Sequence, residues 1–481
     1  MIKKIISSWV INIDYLLVYM EQQSEYSQPK FWQWFGRIND FRHIRKRGKV
    51  EWTVATRGLY SFLVIFELSM IIGMVGLVVM MLVHTSLVIL VVGLYIIFRL
   101  YLLAIFTSII SWCARVMVFN AQKKHLINQA KKIFDSTKAT KIVILGSYGK
   151  TSMRNIIETL VGAQANIVAS EGNLNTEIAH ARLSKRINRD TDYVLLELGE
   201  YIPGDIRKML ELIKPDYAVI TGLNSAHIEN FGSIEAIKNE LFTVEEYLNS
   251  GNIYINLDDI NLANIDNCPY YSIRGTGKVI TSGTVLNIQE TRFDIQIGDA
   301  KYQVATSLLG QHNIGPISLG IELGLELGLD VGRLMDSVQN IKQVKHRMST
   351  SRLSSGATLI DDSYNGNIDG IRAGSRLLKK FKQDYRIIYI TSGLVEQGSN
   401  SQVVHQELGR IIAEVSDQIF LINNSVTEYI LEGISDIGFQ GKLTRIDYPV
   451  NFYKGLAQRT TQYDIIIIQN DWPDLYNWEV K

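Results

Sequence analysis

From Lys141 to the end of the chain, short apolar runs alternate with amphipathic stretches. KIVIL, YVLLEL, YAVIT and NIYINL have the length of buried strands, and helical periodicity over Thr151–Gly162 and Ser233–Leu248 follows or separates them. That alternation predicts βα units around a mostly parallel sheet. Between Lys278 and Ser307 the runs read as hairpins, which predicts antiparallel strands. A second βα series begins near Thr358: ATLID, RIIYIT, QIFLIN, KLTRID, DIIIIQ. The boundary between the two is expected near 345, where an amphipathic helix ends in the polar stretch KQVKHR.

The first quarter has a different texture. Leu59 to Val83 and Ser86 to Ile110 are long apolar stretches separated by His84-Thr85. At about 1.5 Å per residue each exceeds a hydrocarbon core of about 30 Å, so the pair predicts an antiparallel membrane hairpin. Basic residues lie outside it: Arg42, Arg45, Lys46, Arg47 and Lys49 before, and Lys123, Lys124, Lys131 and Lys132 after. The positive-inside rule then places both flanks in the cytoplasm and the short loop outside. Within the spans, Glu67 and Arg99 fall at similar depths, and a charge near mid-bilayer is costly unless it is paired. The two are therefore expected to form an ion pair across the hairpin. No cleavable leader is evident in MIKKIISSWVINIDYLLVYM; Ile5, Ile6, Trp9, Val10, Ile13, Leu16 and Leu17 form a helical stripe. Residues 1–50, with Trp32 and Trp34 as interface-type side chains, read as interfacial helices rather than a third span.

These patterns divide the 481 residues into an N-terminal interfacial segment (1–50), a transmembrane hairpin (51–118), a central domain (119–345) and a C-terminal domain (346–481). A net charge of +1 offers no global attraction for nucleic acid. The two cysteines, Cys113 and Cys268, match no zinc or redox spacing and exclude a disulfide scaffold.

Candidate chemistry begins directly after KIVIL, in LGSYGKTSMRN. Gly146 and Gly149 flank Ser147-Tyr148, and Lys150, Thr151 and Ser152 follow. A glycine-lined turn between strand and helix lets backbone N–H groups approach a phosphate. The lysine adds a charge at the β/γ-phosphates, and the adjacent hydroxyl can ligate Mg²⁺. The loop is a short variant, G-x-x-G-K-T, because the longer spacing would need a glycine where Ile144 stands. An ordinary strand–helix turn with a surface lysine is the plainer alternative.

The loop is one of seven motifs in one order. EGNLNTEI, LLELGEYIPGDIRKM, PDYAVITGLNSAHIENFGSIEAI, GQHNIGP, HRM and DDSYNGNIDGIRAG follow it. This series resembles the Mur ligases, ATP-dependent amide-bond ligases of peptidoglycan precursor synthesis, and within them the branch that adds D-alanyl-D-alanine. The resemblance covers about residues 140–481. It implies an α/β architecture: a central P-loop ATPase-type domain and a C-terminal Rossmann-like domain, here preceded by a membrane helical hairpin. Carried over residue by residue, it implies phosphate contact by Lys150, and Mg²⁺ ligation by Thr151, Glu197 and His227. Asn313 resembles the adenine-contacting asparagine, Arg347 the phosphate-contacting arginine and Asp362 the ribose-contacting aspartate. Asn175, Thr176, Tyr364 and Asn365 fall in substrate-facing stretches.

The chain also departs from the pattern. Pro316 stands where the family has a second asparagine. The carbamylated lysine of many members aligns with Leu241 without a gap, or with Lys238-Asn239-Glu240 across a three-residue deletion. The domain that grips the UDP-sugar precursor has its place taken by the hairpin. The resemblance therefore implies an ATP- and Mg²⁺-dependent ligase at a bacterial inner membrane, with its catalytic domains cytoplasmic. It would join an amino acid or dipeptide to the carboxylate of a lipid-linked or UDP-linked muropeptide. A ligase for another γ-linked polymer and a non-catalytic ATP-binding scaffold are the alternatives.

Overall fold

The structure is a computed structural model and describes residues 2–469 except 25, 45–48, 81–84, 116–119, 173, 225–227, 266–267, 365, 396 and 448. The described residues divide into two compact units, one up to residue 125 and one from Leu126 on.

The larger unit is α/β, built on two sheets. In the ten-stranded sheet, six strands run parallel in the spatial order Tyr270–Ser272, Ile253–Asn256, Tyr217–Ile220, Thr140–Leu145, Tyr193–Glu197, Ile167–Ala169. Beyond Tyr270–Ser272 the sheet continues antiparallel through Gly275–Thr276, Val279–Leu286, Thr291–Ile297 and Ala300–Thr306. The parallel strands are apolar throughout because helices cover both of their faces. On one face, Val143, Leu145, Leu196 and Ile220 pack with Ile206, Leu210 and Ile237 of the covering helices. On the other, Ile142, Ile144, Leu195 and Val219 meet Met153 and Ile157 of the helix Lys150–Gly162.

The strand Thr140–Leu145 lies between Tyr193–Glu197 and Tyr217–Ile220, and the connections leaving Thr140–Leu145 and Tyr217–Ile220 run in opposite directions. This is the switch point where ligands of such sheets bind, outside the C-terminal strand ends. The second sheet has the order Ser349–Arg352, Thr358–Asp362, Asp464–Gln469, Arg386–Thr391, Gln418–Ile422, Lys442–Ile446, parallel except for its first strand. The sequence pattern misses the short strands Ile167–Ala169 and Ser349–Arg352. It also overextends the helix after Ser233, which ends at Phe242 and continues as a 3₁₀ turn to Glu246.

In the smaller unit, the long helices are Val54–Met80 and Thr85–Ala114, both starting earlier than the apolar runs suggest. Among the described residues, these two are long and apolar enough to cross a membrane. Arg99 Nε donates to Glu67 Oε1 at 2.6 Å, the pair expected from their depths. Arg99 also reaches the Ser8 carbonyl (3.3 Å), and its guanidinium lies 4.3 Å from the Trp9 ring. The helices Ile2–Val10, Ile13–Gln23 and Gln28–Arg37 do not simply present one apolar stripe outward. Leu16 to Met20 are all buried, against Phe31, Leu59, Leu63 and Leu100 among others. Trp34, taken as an interface side chain, is 3% exposed and stands edge-on to Tyr19. A continuous apolar run buried on all sides outweighs the amphipathic stripe seen in sequence.

Candidate active site

The phosphate-loop segment leaves the strand Thr140–Leu145 through two glycines in the left-handed φ range, Gly146 at +132° and Gly149 at +79°. A Cβ at Gly146 would overlap Thr221 Oγ1 and the Gly222 backbone, so only glycine lets the loop press against the neighbouring strand end. Ser147 N–H donates to the Gly222 carbonyl (2.8 Å), and Thr221 Oγ1 to the Leu145 carbonyl (3.0 Å). Tyr148 OH donates to Asp259 Oδ2 (2.6 Å), which also accepts from Leu223 N–H (2.8 Å). Burial, then the Asp259 charge, pushes the Tyr148 phenol far above its ordinary value, so it remains a donor. The loop is thus fixed on three sides before any ligand arrives.

Helix Lys150–Gly162 begins at the loop and points its N-terminus into the cleft. Thr151 Oγ1 donates to Glu197 Oε2 at 3.0 Å, and Asn175 Nδ2 to Glu197 Oε1 at 3.3 Å. Tyr201 OH donates to Asn175 Oδ1 (3.0 Å), and Arg154 Nε lies 3.9 Å from Glu197 Oε2. Glu197 is 3% exposed at the end of its strand. A hydroxyl and a carboxylate meeting at a phosphate loop form the hard oxygen donor set that Mg²⁺ takes, so these residues fit that ion. His227 and Asn365 lie outside the described residues.

Ser152, Asn175, Arg347 and Tyr364 join Gly149, Lys150, Thr151 and Glu197 in lining one cleft, together with Asn367 and Gln397. The Arg347 guanidinium lies 4.9 Å from the Tyr364 ring centroid. Burial lowers the Arg347 pKa, while Asp362, Tyr364 and Glu197 pull the other way. Asp362 ends the strand Thr358–Asp362 and accepts from Met348 N–H (3.2 Å). Burial pushes its carboxyl up to about 6, against the pull of Arg347.

Four of the described candidates, Gly146 at the start of the loop, Thr176, Asn313 and Asp362, stand apart from this lining. Thr176 caps the helix Glu177–Leu183, accepting from Ala179 N–H (3.4 Å). Asn313 is buried in the turn before Ile314–Glu326, with its amide donating to the Leu309 carbonyl (2.8 Å). Asp362 sits behind Arg347. Of the positions aligned with the carbamylated lysine, Leu241 is core, and Glu240 caps the helix Asp205–Ile213 through Gly204 and Ile206 N–H (2.9 and 2.8 Å). Lys238 is half-buried on the helix Ile234–Phe242.

Sequence reasoning passed over Glu200. Its carboxylate accepts from Lys150 Nζ at 2.9 and 3.2 Å, and Lys150 also donates to the Gly146 carbonyl. The signal lay in ELGE, two acids three residues apart after a strand, but a loop glutamate ordinarily reads as solvated.

Residues 144–320 match the Mur ligase middle domain. Among curated proteins, the chain is 27% identical over 280 residues to the UDP-N-acetylmuramoyl-tripeptide–D-alanyl-D-alanine ligase of Escherichia coli K12, covering 56% of this chain and 61% of that one. It is 28% identical over 284 residues to the enzyme of that name from Mycobacterium tuberculosis H37Rv, covering 56% of each. The match to the Bacillus subtilis enzyme of that name is 22% over 348 residues, 71% of this chain and 76% of that one. The chain thus spans about three-fifths of the first relatives' length. Among solved structures, MurF from Acinetobacter baumannii has a TM-score of 0.63 at 20% identity, covering 72% of this chain and 77% of that one. MurF from Thermotoga maritima in complex with ADP has a TM-score of 0.63 at 21% identity, covering 72% and 80%. The fold of the larger unit is that of Mur ligases.

Proposed function

We propose, from the match of residues 144–320 to the Mur ligase middle domain, that the chain is an ATP-dependent ligase joining an acceptor carboxylate to an amine. The observation that carries this reading is the convergence of Lys150, Thr151 and Glu197 at the sheet's switch point, facing Arg347 across one cleft. Lys150 and the loop backbone hold the β- and γ-phosphates, Asn313 the adenine and Asp362 the ribose. Thr151 and Glu197, with His227 by resemblance, would hold Mg²⁺, which would supply charge neutralisation at the phosphates. Arg347, oriented by Tyr364, takes charge on the transferring phosphoryl group. The acceptor carboxylate attacks the γ-phosphorus, the P–O bond to ADP breaks, and the resulting acyl phosphate is attacked by the amine, which displaces phosphate through a tetrahedral intermediate.

The curated relatives are named for joining D-alanyl-D-alanine to a UDP-linked muramoyl tripeptide, and a muropeptide carboxylate in cell-wall precursor synthesis is the acceptor proposed here. Asn175, Thr176, Tyr364 and Asn365 are its proposed contacts. The apolar hairpin supports anchoring at the inner membrane with the catalytic part cytoplasmic, which raises its effective concentration toward a lipid-linked acceptor.

The test is phosphate release by the full-length protein in detergent, with ATP, Mg²⁺, D-alanyl-D-alanine and either UDP-linked or lipid-linked muramoyl tripeptide. Release is expected only with both acceptor and amine present, falling about a hundredfold or more in Lys150→Ala. Nucleotide binding without amine-dependent release would make the chain a scaffold. Release with glutamate but not with the dipeptide would make it a ligase of another γ-linked polymer.

A further inference from the structure

Glu200 has no role in the reading above, yet it is the best-buried acid in the cleft, 1% exposed with its side chain fully covered. Both of its oxygens engage Lys150, the residue assigned to the nucleotide phosphates. Lys150 has three donors, engaged by the two Glu200 oxygens and the Gly146 carbonyl, so an entering phosphate competes with Glu200 for them. Phosphate oxygens entering beside the loop draw the ammonium of Lys150 toward themselves and bring negative charge close to Glu200. A buried carboxylate whose counter-ion is drawn away is destabilised, so a second cation beside Glu200 is favoured once nucleotide binds.

The cleft's own charges do not supply one. Among its described lining residues the other cation is Arg347, which is held over Tyr364 with Asp362 behind it. The proposed Mg²⁺ donors, Thr151 and Glu197, face each other with Asn175 on the far oxygen of Glu197. What remains is a cation brought by substrate. Ligation needs one: an amino acid or dipeptide arrives as an ammonium ion and must lose a proton before it can attack.

We propose that Glu200 is the carboxylate that receives the incoming amine, exchanging Lys150 for the substrate's ammonium group once nucleotide has claimed the lysine. Glu200 takes one proton from the ammonium. The freed nitrogen lone pair forms the C–N bond to the acyl-phosphate carbon. The C–O bond to phosphorus then breaks, its electron pair leaving on phosphate, which carries away the second nitrogen proton. The exchange also imposes order, because the amine's seat is occupied by Lys150 until the phosphates are in place. Tyr201, next in sequence and bonded to Asn175, borders the same seat.

This inference rests on the ligase reading, and calorimetric binding to the full-length protein in detergent tests it separately from turnover. The probes are a non-hydrolysable ATP analogue with Mg²⁺, D-alanyl-D-alanine, and N-acetyl-D-alanyl-D-alanine, which lacks the ammonium. In the wild type the dipeptide is expected to bind at least tenfold tighter with the analogue present than without it, and the acetylated dipeptide at least tenfold weaker than the free one. Glu200→Gln should bind the analogue severalfold tighter, because Lys150 is released, while losing at least tenfold in dipeptide affinity. Opposite shifts of that kind cannot come from a damaged fold. Glu200→Asp, which keeps the charge, should restore part of the dipeptide affinity. Dipeptide binding indifferent to nucleotide, absent altogether, or unchanged in Glu200→Gln overturns the proposal. So does a Glu200→Gln variant whose only change is a higher Mg²⁺ requirement, which would make Glu200 a metal ligand. Failure of the ligase reading looks different: nucleotide-linked dipeptide binding with no phosphate release.

Discussion

Asp362 and Glu197 each end a strand, one in each sheet, and each meets its own set of donors. Glu197 is surrounded by donors from Thr151, Asn175 and Arg154. Asp362 has the Met348 N–H and the nearby Arg347 charge, and burial still raises its carboxyl from 3.8 to about 6. Between those two values the folded protein holds a proton that the unfolded chain has lost, so this residue makes stability fall as pH rises through that window. Above about 6 the loss is complete and stays constant. Asp362→Asn should therefore flatten the decline between about pH 4 and 6, which thermal melts of both proteins across that range would measure. Parallel melting curves would mean that Asp362 is solvated like an ordinary carboxylate. Such environments are what sequence reading could not supply. Lys150 and Thr151 stand out because their types and spacing suggest phosphate and metal chemistry, whereas Glu197 stands out only through the resemblance to Mur ligases. Sequence reading passed over Glu200 and Asp259 because their importance lies in what they touch, residues 50 and 111 positions away from their partners.

At the level of elements, the long parallel strands were legible because burial on both faces demands unbroken apolar runs. The Ile167–Ala169 strand was not, since three residues carry no period. Helix ends were blurred where a 3₁₀ turn extends the amphipathic pattern past Phe242. The hairpin was legible down to a contact, because the cost of an unpaired intramembrane charge singled out Glu67 and Arg99. Their side chains are 16% and 10% exposed, and Arg99 also engages Ser8 and Trp9 from the first helix. Removing Arg99 leaves Glu67 beside a second acid, Asp14, while removing Glu67 leaves Arg99 only the more distant Asp14 charge. Glu67→Gln and Arg99→Gln should therefore each destabilise the helical unit by more than the double substitution does. A coupling energy of about 1–3 kcal/mol is expected from a double-mutant cycle on thermal unfolding in detergent. Additive losses would mean that the carboxylate and guanidinium do not meet in solution.

At the scale of the whole molecule, the question is what the two long helices are for. A helix that serves as the core of a water-soluble domain is mostly buried, but the most apolar windows of these two are 6% and 22% buried. Ile72, Val75, Val79 and Ile89 are each more than half exposed. In water such a surface would drive aggregation, whereas in hydrocarbon it costs nothing. Each apolar segment runs 26 residues, about 39 Å at 1.5 Å per residue, enough to cross about 30 Å of hydrocarbon with some tilt. Basic residues flank the pair on both sides, so an inserted hairpin would keep both flanks on the cytoplasmic side by the positive-inside rule. The chain should therefore sediment with membranes, stay there through an alkaline carbonate wash, and leave only with detergent. Orientation can be read by replacing both cysteines with serine and placing one new cysteine at a time. In intact cells a membrane-impermeant maleimide should label Thr85→Cys, at the start of the second helix, and spare Lys49→Cys until the cells are opened. Release by carbonate would make the attachment peripheral. Labelling of Lys49→Cys from outside would put the basic flank, and with it the route to cytoplasmic ATP, on the wrong side for the proposed reaction.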